Sequence, residues 1–538
     1  MIQYIGKLCK DFDETSGKGK VTLYMKLRHF LIITFVLIFA ACGYTPQVNY
    51  TEETPSQIPI VEIDDAEEYI PDEKDNNAVT VLAIPDYTVN LEIFPDERIV
   101  NGVAAISFQN TSNYELDRVY LTMPLNAFAE GFLYPPFLPV LEGRIFQHGH
   151  EFGSIDITLA TINLNPSKFM LDGTLLTIYL NENLPPEASI EIGLIFEAHI
   201  PRISHRTGGN DYAMWFGNFL PQLAVLTADD WHIYPYYPVG NPFFTTMSNY
   251  NVNITAPMEY TVVSTGFGVR NEGETNAVTS ITIDQVRDFA FVLLSPAYDS
   301  RGILTETGVD ITIHFRGNWD DDDVIDAILD TAHAAFNFFE SRVGTHPYQS
   351  FGIVETELFI QDTMRYPGIM FVDARHIRTP AVHGSVVRDI GHQWFYNVVG
   401  NNPVTEPWLA YGLVSYLQLG VTLDKDAIAT HMRGLHQSLQ VAVEYMEYPE
   451  LFRNLGYYTS WADFHRIQFS RGKLLFYGLA QRLGEEGFDQ FVRTYYGRYA
   501  FSIATVQGLI TVAEEIYGDS LEDFFNAWIN SPTLPDID

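Results

Sequence analysis

The stretch VVRDIGHQWFYNVVGNNPVTEPWLAYGLVSYL, residues 386–417, decides how the chain is read. Two histidines four apart lie on one face of a helix and can grip a single Zn²⁺, with a glutamate between them taking a proton from the metal-bound water. Here His392 holds the second histidine position, Arg388 the first, and Asp389 the position of the base. A guanidinium stays protonated and has no lone pair, so Arg388 cannot ligate a metal and sets positive charge where a dication would sit. Asp389 is one methylene shorter than glutamate, which reduces its reach. His392 by itself is not a site, because a single histidine on an apolar helix is more often a hydrogen-bonded core residue.

Around this helix, GHQWFYNVVGNNPVTEPWLAYGLVSYL resembles the core of the membrane alanyl aminopeptidase family, the gluzincin metallopeptidases. The resemblance implies a third zinc ligand in a Trp-Leu-x-Glu-Gly phrase. The phrase here is Trp408-Leu409-Ala410-Tyr411-Gly412, with Tyr411 at the third-ligand position, and a neutral phenol is a poor zinc ligand. TMRYPGIMFVD, residues 363–373, resembles the Gly-x-Met-Glu segment whose glutamate holds the substrate's N-terminal ammonium. Arg365 stands there, a reversal of charge. QFSRGKLLFYGLAQRLGEEGF, residues 468–488, resembles the Tyr-x-Lys-Gly segment whose hydroxyl stabilises the developing oxyanion. Phe469 stands there without a hydroxyl.

The resemblance extends to NFLPQLAVL, DDWHIYPYYPVGNPFF and NYNVNITAP, which are similar to the family's N-terminal saddle domain. It runs from about residue 80 to the end and matches the short form of the family. It implies a β-saddle packed on a thermolysin-like domain with a cleft between them. Arg365, Arg388, Asp389, Tyr411 and Phe469 all depart from the pattern at chemical positions. His392, Gln393, Trp394, Phe395, Trp408, Leu409 and Gly412 keep its packing.

That combination points to a pseudopeptidase with a peptide-binding, protein-binding or scaffold role. Two other readings stay open: an active zinc aminopeptidase with unusual ligands, and a purely structural part of a surface complex. Zinc is expected only under the active reading, and no other cofactor is implied. Asp389 and Phe469 are the altered catalytic positions. Arg365 and Arg388 are the candidate substrate-binding residues, suited to a carboxylate or another anion, with Asp389 neutralising one of them. The competing expectation is that Arg388 fills the metal void and closes the site with an ion pair. His383 is out of phase with His392, and His333, His376 and His465 lack ligand spacing, so these are expected at the surface or satisfied in the core.

Composition narrows the classes further. With 538 residues, two or three domains are expected. A net charge of −37 argues against nucleic-acid binding, since phosphates would be repelled. The two cysteines, Cys9 and Cys42, exclude a cysteine metal cage. From Met25, Lys26 and Arg28 precede a short apolar run that ends in Ala40-Ala41-Cys42-Gly43. This resembles a bacterial lipoprotein signal with Cys42 lipidated, and an ordinary signal peptide or uncleaved anchor is the alternative. Residues 1–42 are therefore read as leader and signal, and residues 43–78, acidic and proline-bearing, as a tether. An extracytoplasmic, membrane-anchored location follows as an expectation.

The folded part reads as α+β. Tyr87, Val89, Leu91 and Ile93 alternate with polar residues, as on a half-buried strand, and Asn101-Gly102 reads as a hairpin turn. Short strands continue through residues 79–303, a β-saddle or sandwich. The period changes in residues 304–538, a mainly helical thermolysin-like region. Val324, Ile328, Ala332, Ala335, Phe339 and Val343 recur at helical spacing before Gly344. Further helices are expected at about 380–399, 408–419, 425–446, 461–483, 486–497, 505–517 and 520–530. The aromatic run WHIYPYYP, residues 231–238, is a weak candidate for the groove wall.

Overall fold

The computed structural model describes residues 83–538, apart from 133–135, 318–321, 360, 447–448 and 538, together with the strand residues 78–79. The signal segment, Cys42 and nearly all of the tether lie outside the described residues.

The N-terminal part is built on an eight-stranded sheet. Its central strand, Asp86–Phe94, buries Tyr87, Val89, Leu91 and Ile93 on one face, as the alternation predicts. It pairs antiparallel with Ile99–Gln109 and parallel with Ser248–Pro257. A four-stranded sheet containing Leu116–Thr122 and Leu175–Leu184 contributes Val119, Leu121 and Ile178 to the same core. The Asn101-Gly102 expectation is corrected here, because both residues lie inside Ile99–Gln109 and the turn is at residues 95–98. Gly102 is required by packing: a Cβ there would come within 2.0 Å of the Phe196 ring on the paired strand.

The C-terminal part opens with a mixed five-stranded sheet. Its order is Tyr298–Leu304, Asp310–Arg316, Ser350–Thr356, Ile369–Asp373, Thr363–Tyr366. The first of these strands belongs to this sheet and runs across the expected boundary at residue 303. Helix α1, Asp322–Arg342, buries Ile325, Ile328, Ala332, Ala335, Phe336 and Phe339 in the larger core, and Gly344 follows with a φ of 151°.

Helix α2, Val382–Trp394, is shorter than the expected 380–399. It stops because Phe395 turns extended and Tyr396 takes a φ of 107°, while the Trp394 indole donates to Gly344 O at 2.7 Å. Helix α3, Trp408–Leu417, follows. Next come α4, Lys425–Val443, and a short turn Trp461–Phe464 that runs into π-helical His465–Arg471. Helix α5, Gly472–Tyr499, is broken at Gly484, which has a φ of 70°. Helices α6, Val506–Tyr517, and α7, Glu522–Ile529, complete the chain.

The crossing of α3 and α5 explains one element of the motif. A Cβ at Gly412 would stand 2.9 Å from Gly472 Cα, so the two backbones approach at a pair of glycines. No helix among the described residues is long and apolar enough to cross a membrane.

Candidate functional site

Three elements bring the sequence-singled residues together. The edge strand Thr363–Tyr366 presents Thr363 and Arg365, two residues apart and hence on one face. Helix α2 presents Arg388, Asp389 and His392, and α3 presents Tyr411. The π-helical turn supplies His465 and Phe469. A cavity of about 160 Å³ is lined by Arg206, Thr363, Arg365, Arg388, Tyr411, Trp461, Phe464, His465 and Phe469, with Gly240, Asn241, Gln361, Asp362 and Met364 completing the wall.

Asp389 is fully buried beneath this cavity. Arg388 donates from Nε to Asp389 Oδ1 at 3.0 Å and from Nη2 to Thr363 Oγ1 at 2.6 Å. The Thr363 hydroxyl donates in turn to Asp389 Oδ2. Arg365 Nη1 lies 3.8 Å from Asp389 Oδ1, an ion-pair distance beyond hydrogen bonding. The Arg365 guanidinium sits over the rings of Tyr411, at 5.0 Å, and Tyr396, at 5.5 Å.

His392 is wholly buried. Its Nδ1 meets Phe395 O at 3.1 Å, and its Nε2 has no partner. Burial, then the Arg365 charge, then that of Arg388, push its pKa well below the ordinary histidine value, so it is a neutral imidazole. The Tyr411 ring stands edge-on to it, with centroids 5.6 Å apart, and stacks on Phe469 at 4.5 Å. Phe469 also stacks on His465 at 4.5 Å. His465 is exposed, yet desolvation and then the charges of Arg388 and Arg365 push its pKa down to about 4.

These residues do not fit zinc. His392 offers one free nitrogen donor, but Arg388 is engaged with Asp389 and Thr363, and Tyr411 is sandwiched between the Arg365 cation and Phe469. Two guanidiniums disfavour a dication at this point. Among the described residues, no group of three or more His, Cys, Asp or Glu side chains gathers in a metal-binding arrangement.

Sequence reasoning missed several members of the site. Thr363 was readable, since it shares a strand face with Arg365. Arg206 and Asn241 reach the cavity from the N-terminal part by folding alone and left no local signal. His465, expected at the surface or in the core, is exposed and also lines the cavity from the π-turn. His376 meets Ser385 Oγ at 2.9 Å and His383 meets Thr331 Oγ1 at 2.7 Å, neither of them a lining residue of the cavity. The aromatic run does not line this cleft. His232, Tyr234 and Tyr236 line a separate cavity with Phe243 and Phe244.

Residues 328–528 match the Peptidase family M1 domain. The chain is 26% identical over 166 residues to aminopeptidase M1-B of Oryza sativa subsp. japonica, covering 28% of this chain and 18% of that protein. It is 24% identical over 231 residues to human aminopeptidase O, covering 36% of this chain and 28% of that protein. The matched segment thus spans well under a third of either relative.

Among solved structures, the M1 zinc metallopeptidase of Deinococcus radiodurans aligns with a TM-score of 0.59 at 15% identity, covering 84% of this chain and 96% of that one. A mutant of that enzyme bound to a Tyr-Ser-Ala substrate aligns with the same TM-score and identity. At that identity the likeness is one of fold. Residues 328–528 are thus similar to the M1 peptidase domain, and the chain has the fold of the two-domain M1 structures: a β-domain of several sheets followed by a helical region.

Proposed function

We propose that this protein is a catalytically silent member of the peptidase fold, held at the cell surface through lipidated Cys42, with its former active cleft used for binding. The observation that carries the reading is the Arg388–Asp389–Thr363 network, which occupies the first metal-ligand position and the position of the base with a closed set of hydrogen bonds. The loss of a hydroxyl at Phe469 and the aromatic packing of Tyr411 support it. One observation favours the active alternative: the unpaired Nε2 of His392 is available as a donor.

Metal content per chain and hydrolysis of aminoacyl substrates test the choice. The silent reading expects substoichiometric zinc and no chelator-sensitive turnover. Stoichiometric zinc with such turnover would overturn it. Combining Arg388→His, Asp389→Glu and Tyr411→Glu asks whether the backbone still holds the geometry, with zinc uptake as the readout. Mass spectrometry of the mature N-terminus tests the lipid at Cys42.

A further inference from the structure

The cleft carries more positive charge and more donors than its own acceptors balance. Arg206, Arg365 and Arg388 line it. Among the described residues, the one lining carboxylate, Asp362, is 71% exposed, and Asp389 below is already bonded to Arg388 and Thr363. Among the described residues Arg365 makes no hydrogen bond, and its Nε is buried without a partner. Arg206 is also buried, donates from Nη2 to Gly240 O at 3.2 Å, and likewise leaves its Nε unpaired. Buried donors are almost always satisfied, so two unpaired guanidinium nitrogens around one cavity call for an acceptor.

The remaining wall is flat and aromatic: Tyr411, Phe464 and Phe469. The volume, about 160 Å³, is near that of a cavity that admits one benzene ring. A small planar anion suits paired guanidinium forks. A polyanion would meet the repulsion of a chain carrying −37.

We propose that the cleft binds the carboxylate of a peptide, held by Arg365 and Arg206 with the charge of Arg388 beside them, and with the adjoining apolar group against Tyr411 and Phe469. This inference rests on the reading of the cleft as catalytically silent. It makes the charge reversal at Arg365 a change of ligand polarity, from an ammonium to a carboxylate.

The test is calorimetric titration of the folded protein at low salt with three probes: N-acetylphenylalanine, N-acetylphenylalanine amide and N-acetylaspartic acid α-amide. The first expected result is that at least one of the two acids binds about tenfold or more tightly than the uncharged amide. Which acid binds more tightly separates a chain-terminal carboxylate from an acidic side chain. Arg365→Gln is expected to abolish that preference, and Arg365→Lys to keep part of it. The two substitutions together separate lost recognition from lost folding. Equal affinity for acids and amide, unchanged binding in a folded Arg365→Gln variant, or no heat with any probe at millimolar ligand would overturn the proposal. Zinc and turnover are measured on the same sample. A zinc-free, inert and non-binding protein removes the carboxylate site and leaves the silent reading standing. A zinc-loaded hydrolase removes the silent reading first.

Discussion

Arg471 and Arg365 are both withdrawn from water, and the fold treats them in opposite ways. Arg471 is fully buried. It donates to Trp528 O from Nε and Nη2, to Pro449 O at 2.8 Å, to Ser531 O at 2.6 Å and to Thr533 O at 3.1 Å. Among the described residues no carboxylate is hydrogen-bonded to it, and burial lowers its pKa to about 10, which still leaves it charged at neutral pH. Arg365 has a carboxylate nearby but no hydrogen bond among the described residues. Burial alone therefore does not mark an arginine as functional. The donor inventory does: one guanidinium is used up by the C-terminal segment, and the other faces a cavity with its donors free.

The largest expected effect tests the saturated side. Arg471→Met leaves four carbonyl oxygens, those of Trp528 and Pro449 buried, without their donor and should destabilise by about 3–5 kcal/mol, read as a lower urea midpoint or insoluble protein. A loss below about 1 kcal/mol would mean that the carbonyl cage is incidental. Asp389→Asn comes next. It removes a buried counter-charge shared by Arg388 and Arg365 and should cost about 2–3 kcal/mol, partly recovered by added acetate. No recovery in acetate would argue that the cleft does not admit an anion.

A titration sharpens the contrast further. Desolvation first, and then the guanidiniums of Arg388 and Arg365, favour the neutral imidazole of His465 and hold its pKa down to about 4. Arg365→Met removes one of these positive charges, so the protonated form becomes less costly and the pKa moves up toward 6.5, as read from the ring-proton shifts. Arg471→Met, provided that it folds, leaves His465 unmoved. The smallest expected effect is on stability in Arg365→Met, within about 1 kcal/mol of the parent, because no hydrogen bond is lost. If Arg365→Met cost as much as Arg471→Met, the two environments would be of one kind and the comparison would fail.

Much of this architecture is legible in residue patterns. The alternation of Tyr87, Val89, Leu91 and Ile93 gives a strand with one buried face. The spacing of Ile328, Ala332, Ala335 and Phe339 gives α1. Both are local periodicities, and local periodicity survives into the fold. Asn101-Gly102 misleads because glycine serves two purposes, a turn or room for a neighbour, and only the register against Phe196 tells them apart. The positions of Arg365, Arg388, Asp389, Tyr411 and Phe469 were legible by resemblance, and the structure brings four of them to one cavity, with Asp389 bonded to Arg388. What sequence spacing could not supply was Arg206 reaching the cavity from a bend far away in the chain, or the π-turn that sets His465 at the cavity's edge, since both depend on contacts between residues far apart in the chain.

That seven-residue π-turn, His465–Arg471, carries Phe469 toward the cleft and Arg471 toward the carbonyl cage on consecutive odd positions. Such a turn is wider than an α-helical one by a single residue. Deleting one residue would regularise the spiral and swing everything downstream by roughly 100°. The aromatic wall and the C-terminal clasp would then lose their alignment together. Evolution or engineering can retune either feature by substitution, but an insertion or deletion in this segment edits both at once.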